Sequence, residues 1–166
     1  MIRQLRAADA EAYLELRRQA LLDAPGAFAA SPEDDLVASV EAVRVQLRRA
    51  PDTVIIGAVP ERLVGIVGLY RDRHLKAAHK ADLWGMYVEP AARRQGIGRQ
   101  LLAAALEHAR SLPGVEWVHL SVSSSAPAAR RLYERAGFAV WGSEPDALRV
   151  GGESFVEHHL ALRLRG

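Results

Sequence analysis

The sequence predicts an α/β (α+β) fold: a mixed, mostly antiparallel seven-stranded sheet flanked by about four helices. Three observations carry that expectation. Extended segments cluster between residues 53 and 88, a long amphipathic helix follows them, and strand and helix then alternate before two closing strands. The order is strand, two helices, three strands, helix, strand, helix, two strands. Consecutive antiparallel strands followed by crossover helices give a mixed sheet, not a doubly wound one. The 166 residues, 49% hydrophobic and 25% charged, suit a single domain spanning 1–166 with a sizeable core.

Residues 2–5 form a short first strand, and Asp9 is placed to cap a helix running to about residue 22. Tyr13, Leu14, Leu16, Arg17, Ala20 and Leu21 recur at helical spacing on one face of it. Pro25, Gly26 and Pro32 punctuate an irregular stretch. A second helix is expected from residue 32 or 33 to 49, capped by Ser31, with Leu36, Val40, Val43 and Leu47 facing inward. Residues 53–59 and 62–70 read as strands joined by a tight turn near Pro60-Glu61, and 71–80 as a basic connection.

The bulky run Leu83, Trp84, Met86, Tyr87 and Val88 is a strand ended by Glu89-Pro90. Ile97, Leu101, Leu102, Ala105, Leu106 and Ala109 define the long helix. Pro113-Gly114 breaks the chain before a strand at 116–122. Pro127 suits the first turn of a helix over 128–136 that Gly137 ends. Residues 138–142 and 154–164 supply the closing strands.

Composition narrows the function. With no cysteine, disulfides, thiolate metal sites and cysteine nucleophiles are excluded, and a cytoplasmic setting is expected. The six histidines show no His-x-x-x-His spacing, so no metal is expected. A net charge of +2, scattered along the chain, gives no reason to expect nucleic acid, and no apolar run approaches the roughly 20 residues that span a bilayer. The segment MIRQLRAADAE lacks a signal-peptide core, and Ser123-Ser124-Ser125 lacks a hydrolase nucleophile elbow.

Between the central strand and the long helix lies Arg93-Arg94-Gln95-Gly96-Ile97-Gly98. Glycines allow close backbone approach, and the unpaired amides and positive dipole end of a helix N-terminus favour anions. With two arginines alongside, the segment is suited to a phosphate or pyrophosphate. Taken alone it also fits an ordinary strand-to-helix connection. A dinucleotide fingerprint is excluded, because Leu101 stands where its third glycine belongs.

The spacing Arg93-x-x-Gly96-x-Gly98, preceded by Tyr-Val-x-Pro and followed by Leu-Leu, resembles the pyrophosphate loop of the GNAT (GCN5-related N-acetyltransferase) superfamily. Ala129-x-x-Leu132-Tyr133-Glu134-x-x-Gly137-Phe138 is similar to a second family motif, and the element order is also the family's. The resemblance covers nearly the whole chain and is strongest over 82–138.

It implies a single acetyltransferase domain that uses acetyl-CoA as cosubstrate and acetylates a primary amine on a small molecule, a peptide N-terminus or a lysine. A non-catalytic acyl-CoA-binding module on the same fold is the alternative. The implied pyrophosphate site is Arg93, Arg94, Gln95, Gly96, Ile97, Gly98 and Arg99, with backbone groups of Met86, Tyr87 and Val88 along the pantetheine. Tyr133 would protonate the departing thiolate, and Asp82 stands where some members place a catalytic carboxylate, acting directly or through a water. The acidic cluster Glu33, Asp34 and Asp35 falls in the region that commonly shapes the acceptor site. Where the family often carries an asparagine this chain has Ala126, and Ser124 or Ser125 is placed to substitute. Members often pair through the C-terminal strands, so residues 150–164, with Phe155, Val156, Leu160, Leu162 and Leu164, suggest a homodimer.

Overall fold

Seven strands form one sheet in the order β1-β2-β3-β4-β5-β7-β6, in a computed structural model that describes residues 1–164. They are β1 (Ile2–Gln4), β2 (Thr53–Ala58), β3 (Gly65–Arg71), β4 (Lys80–Val88), β5 (Trp117–Ser123), β6 (Ala139–Val150) and β7 (Glu153–Arg163). Four α-helices cover it: α1 (Ala10–Asp23), α2 (Val40–Leu47), α3 (Ile97–Ser111) and α4 (Pro127–Arg135). All strand pairings are antiparallel except β4 with β5.

The sheet separates two cores. On one face, α1 and α2 bury Tyr13, Leu14, Leu16, Val43 and Leu47 against Ile55, Ile66 and Tyr87. On the other, α3 presents Leu101, Leu102, Ala105, Leu106 and Ala109 to Val54, Val67, Leu69, Val118 and Leu160. The spacing of those α3 residues is the apolar stripe of a helix lying on a sheet. Strand β2 is buried along almost its whole length, because helices sit on both of its faces.

Three expectations are corrected. The second helix is half the expected length and is capped by Ser39, whose hydroxyl accepts from the Ala42 amide at 3.1 Å. Ser31 belongs instead to a turn, in which Asp34 draws the Ser31 amide (2.7 Å) and hydroxyl (2.9 Å) onto its carboxylate. Leu36, expected to face inward, is 95% exposed. Asp9 precedes α1 but does not cap it: its carboxylate turns back to the Arg6 amide at 2.7 Å and the Arg3 guanidinium at 2.8 Å.

The third correction concerns the C-terminal strands. β6 runs well past residue 142 and turns into β7 through Gly151 and Gly152 at φ +57° and +80°, the positive φ values that a tight hairpin turn needs. Register shifts between Val140 and Gly142 and between Glu144 and Leu148 interrupt its alternation. β7, whose apolar residues suggest an edge or a face for a second copy, lies inside the sheet between β5 and β6. The edge at this end of the sheet is β6, with Val140 and Trp141 exposed.

Candidate active site

Two irregularities of β4 shape the site. The first is a bulge. Ile66 pairs with Tyr87 and Gly68 with Trp84, so Val67 faces two residues, Gly85 and Met86, with Gly85 at φ +62°. One extra residue reverses which face each later side chain takes. Trp84 and Tyr87 consequently share the α1 face, while Met86 and Val88 pack toward α3.

The second is a parting of strands. β4 pairs with β5 only at Lys80–Trp117, Ala81–Val118 and Asp82–His119. Beyond that point β4 continues with β3 and β5 with β7, so residues 83–88 have no strand partner on the β5 side. On that side their backbone groups, apart from the Val88 carbonyl that Arg93 holds, are free to pair with an extended ligand as an added strand would.

At the far end of β4 the chain passes Arg94, at φ +62°, and Gly96, at φ +77°, before α3 begins. A Cβ at Gly96 would meet nothing within 4 Å, so the glycine provides conformation and open space. Gln100 N–H bonds to the Gly96 carbonyl at 3.1 Å, leaving the amides of Ile97, Gly98 and Arg99 as the first-turn donors. Gln95 reaches back to the Ala91 carbonyl at 3.5 Å.

Arg93 is placed differently from the other loop cations. It bonds to the Val88 carbonyl and to Asp23, both at 2.8 Å, and lies over the Tyr87 ring. The Tyr87 hydroxyl donates to the same Asp23 carboxylate at 3.0 Å. Arg93 thus fastens the loop to the end of α1, and the Tyr87 side chain is spent on the same clamp. Arg94 and Arg99 are exposed and, unlike Arg93, form no ion pair among the described residues.

Tyr133, on α4, is buried against Phe138 with ring centroids 6.0 Å apart. Its hydroxyl forms no hydrogen bond among the described residues, and burial pushes its pKa well above the ordinary phenol range, so it keeps its proton. Ser125 bonds to Ser123 at 2.9 Å, beside Gly26. Ser124 is tied to β7 at Val156 through both its backbone amide and its hydroxyl.

A cavity of about 740 Å³ opens on the α1 face where β4 and β5 part. Its carboxylates are Asp82, Asp34, Asp35 and Glu157, and its rings are Phe28, Tyr70, Trp84, Trp141, His119 and His159. Asp35 is neutralised by Arg17, at 3.2 Å from Nε, and Arg17 also lies over Phe28 and Trp84. Glu33 is not part of this wall. Asp82 is half-buried, and desolvation raises its pKa against the opposing pull of His119 and Lys80. Burial lowers the pKa of His119, with Asp82 opposing.

The sequence reading missed Arg17, Asp23, His119, Glu157 and His159. One signal was available. In Trp117-Val118-His119-Leu120-Ser121-Val122 the apolar residues alternate with larger or polar ones, which marks a face left uncovered by helices. Among the described residues no group of three or more histidine and carboxylate side chains is arranged to hold a metal ion.

The profile of the Acetyltransferase (GNAT) family matches residues 5–138. The chain belongs to that family. A mycothiol acetyltransferase from Nocardiopsis dassonvillei is 46% identical over 63 residues, covering 38% of this chain and 19% of that protein. A serotonin N-acetyltransferase from Macaca mulatta is 38% identical over 90 residues, covering 54% of this chain and 42% of its own. The chain thus spans about a fifth of the former and under half of the latter. In fold it is similar to a GNAT-family acetyltransferase from Streptococcus pneumoniae, with a TM-score of 0.89, 20% identity and 99% of both chains covered. It is also similar to yncA from Salmonella typhimurium, solved with its cofactor acetyl-CoA, at a TM-score of 0.82, 22% identity, and 100% and 94% coverage.

Proposed function

We propose that this chain transfers an acetyl group from acetyl-CoA to a primary amine by direct attack. The observation that carries the reading is the parting of β4 and β5 immediately after Asp82 and His119. It leaves a slot of unpaired backbone that ends, on one side, at the open glycine loop and first-turn amides of α3. These features fit the cosubstrate: Gly96 has room beside it, Arg94 and Arg99 are free to meet phosphate charge, and residues 83–88 can pair with amides of an extended arm.

The cavity fits an amine that arrives as a cation, because among the described residues no arginine or lysine forms an ion pair with Asp82 or Glu157. In the reaction the amine nitrogen bonds to the thioester carbonyl carbon and the carbon–sulfur bond breaks. Asp82, directly or through a water, takes part in removing the amine proton, and Tyr133 returns a proton to sulfur. Burial makes the phenol a weaker acid, so it keeps its proton until the thiolate forms.

The setting proposed is the cytoplasm, with neither nucleic acid nor membrane as partner. No described helix is long and apolar enough to cross a bilayer. A homodimer is proposed through the β6 edge, where Val140 and Trp141 are exposed, and a monomer mass by light scattering at micromolar concentration would refute it.

The decisive experiment follows CoA thiol release from acetyl-CoA with a panel of primary amines, for the wild type and for Tyr133→Phe. The wild type is expected to turn over at least one amine. The variant should lose kcat by about 10²-fold, the low end for general acid catalysis, with acetyl-CoA affinity little changed. Binding of acetyl-CoA without turnover of any amine would leave an acyl-CoA-binding module instead. A variant within twofold of wild type from pH 7 to 10 would make Tyr133 a packing residue.

A further inference from the structure

The cavity holds two histidines in very different circumstances. His159 is fully engaged: its Nδ1 meets the Ser121 hydroxyl at 2.7 Å, its Nε2 lies 3.6 Å from Glu144, and Trp141 stacks on its ring at 5.4 Å. His119 is half-buried, and its ring nitrogens have no hydrogen-bond partner among the described residues. Its one close ring neighbour is Trp117, at 6.3 Å. It sits directly beside Asp82, in the last parallel pair before the strands part.

We propose that His119 is the catalytic base, taking the proton from the attacking amine, while Asp82 draws in the ammonium and steadies the imidazolium that forms. This deepens the proposed function and rests on it. The nitrogen–hydrogen bond of the amine breaks as its nitrogen bonds to the acetyl carbon. The proton passes to a ring nitrogen of His119, and the thiolate leaves to be protonated by Tyr133. The ammonium's first proton leaves to solvent before the attack, the imidazolium then returns the second to solvent through the open cavity, and the Tyr133 phenolate regains its proton from solvent.

Basicity favours the imidazole over the carboxylate. An ordinary His at 6.5 is far closer to neutrality than an ordinary Asp at 3.8, and a base works best near the working pH. Burial keeps His119 uncharged at neutral pH, so it is free to accept a proton. Several charges bear on its titration. Lys80, His79 and Asp82 act from β4 and the turn before it, and Tyr70 lies on β3. Glu157 and His159 face it from β7, and Arg17, Asp34 and Asp35 from α1 and the loop after it. With Arg17 and Asp35 paired to each other, Asp82 is the charge that favours the imidazolium.

The test combines kinetics with titration on the full chain. His119→Ala should lower kcat/KM at pH 7 by about 10²-fold, flatten the ascending limb of the pH–rate profile, and be partly restored by added imidazole. Two-dimensional proton–nitrogen spectra, assigned by the loss of one signal in the variant, should show the His119 imidazole titrating below 6.5, and lower still in Asp82→Asn. A His119→Ala enzyme that keeps its rate and its ascending limb overturns the assignment alone. A wild type that turns over no amine overturns the transferase reading and the assignment with it.

Discussion

Asp82 carries a cost that its place in the sheet does not require. Desolvation raises its pKa, so above the ordinary carboxylate range the unfolded chain ionises this group more readily than the folded chain does. Its charge therefore subtracts from stability at neutral pH, and the deficit disappears as pH falls below the unfolded value. Asp82→Asn keeps the shape and removes the charge. Its melting temperature at pH 7 should equal or exceed that of wild type, with the two curves converging below about pH 4, while acetyl transfer falls. A lower melting temperature at pH 7 would make Asp82 a structural residue. Asp82 could be singled out in the sequence because a motif lay eleven residues downstream of it. His119 could not, since no local pattern says that β5 will run parallel to β4 and bring these two positions together.

Helix α3 was legible from its apolar period and its glycine start, and the central strands from their bulky runs. Helix α2 was not. The acids of 33–35 resemble a helix start, yet Asp34 closes a turn on Ser31 and Asp35 is drawn to Arg17. Those partners are tertiary, or compete with the helix for the same side chains, so propensity alone misleads. β4 shows the same limit. Trp84 and Tyr87 share a face only because Gly85 and Met86 bulge, and the strand period gives no hint of that. The bulge has a counterpart across the ladder: a Cβ on Gly68 would collide with the Trp84 indole. Gly68→Ala should push the indole off the strand, change tryptophan emission, and raise the amine KM with much less effect on acetyl-CoA affinity. Unchanged emission and KM would show that Trp84 does not form the acceptor wall.

At the scale of the molecule, two cores on opposite faces of one sheet hold the site between them. The element order was readable from the sequence, whereas the extent of the β6–β7 hairpin was not, because its bulges hide the alternation. The gap between β4 and β5 also makes the sheet thermodynamically unfinished. Two strands in the middle of a folded protein behave there as edges, exposing amides that a sheet interior would protect. A cosubstrate lying in that gap would act as a removable eighth strand. At a hundredfold excess over its Kd it would add about 2.7 kcal/mol to stability. Hydrogen exchange at residues 83–88, whose β5-side amides are open in the folded chain, should then slow through direct cover when acetyl-CoA binds, whereas β2, covered on both faces, should slow only as far as global stability rises. No slowing at 83–88 would place the cosubstrate elsewhere. On this view the amount of acetyl-CoA in the cell sets how long the protein survives as well as how fast it works: a chain without cosubstrate is the one presented to proteases half-open.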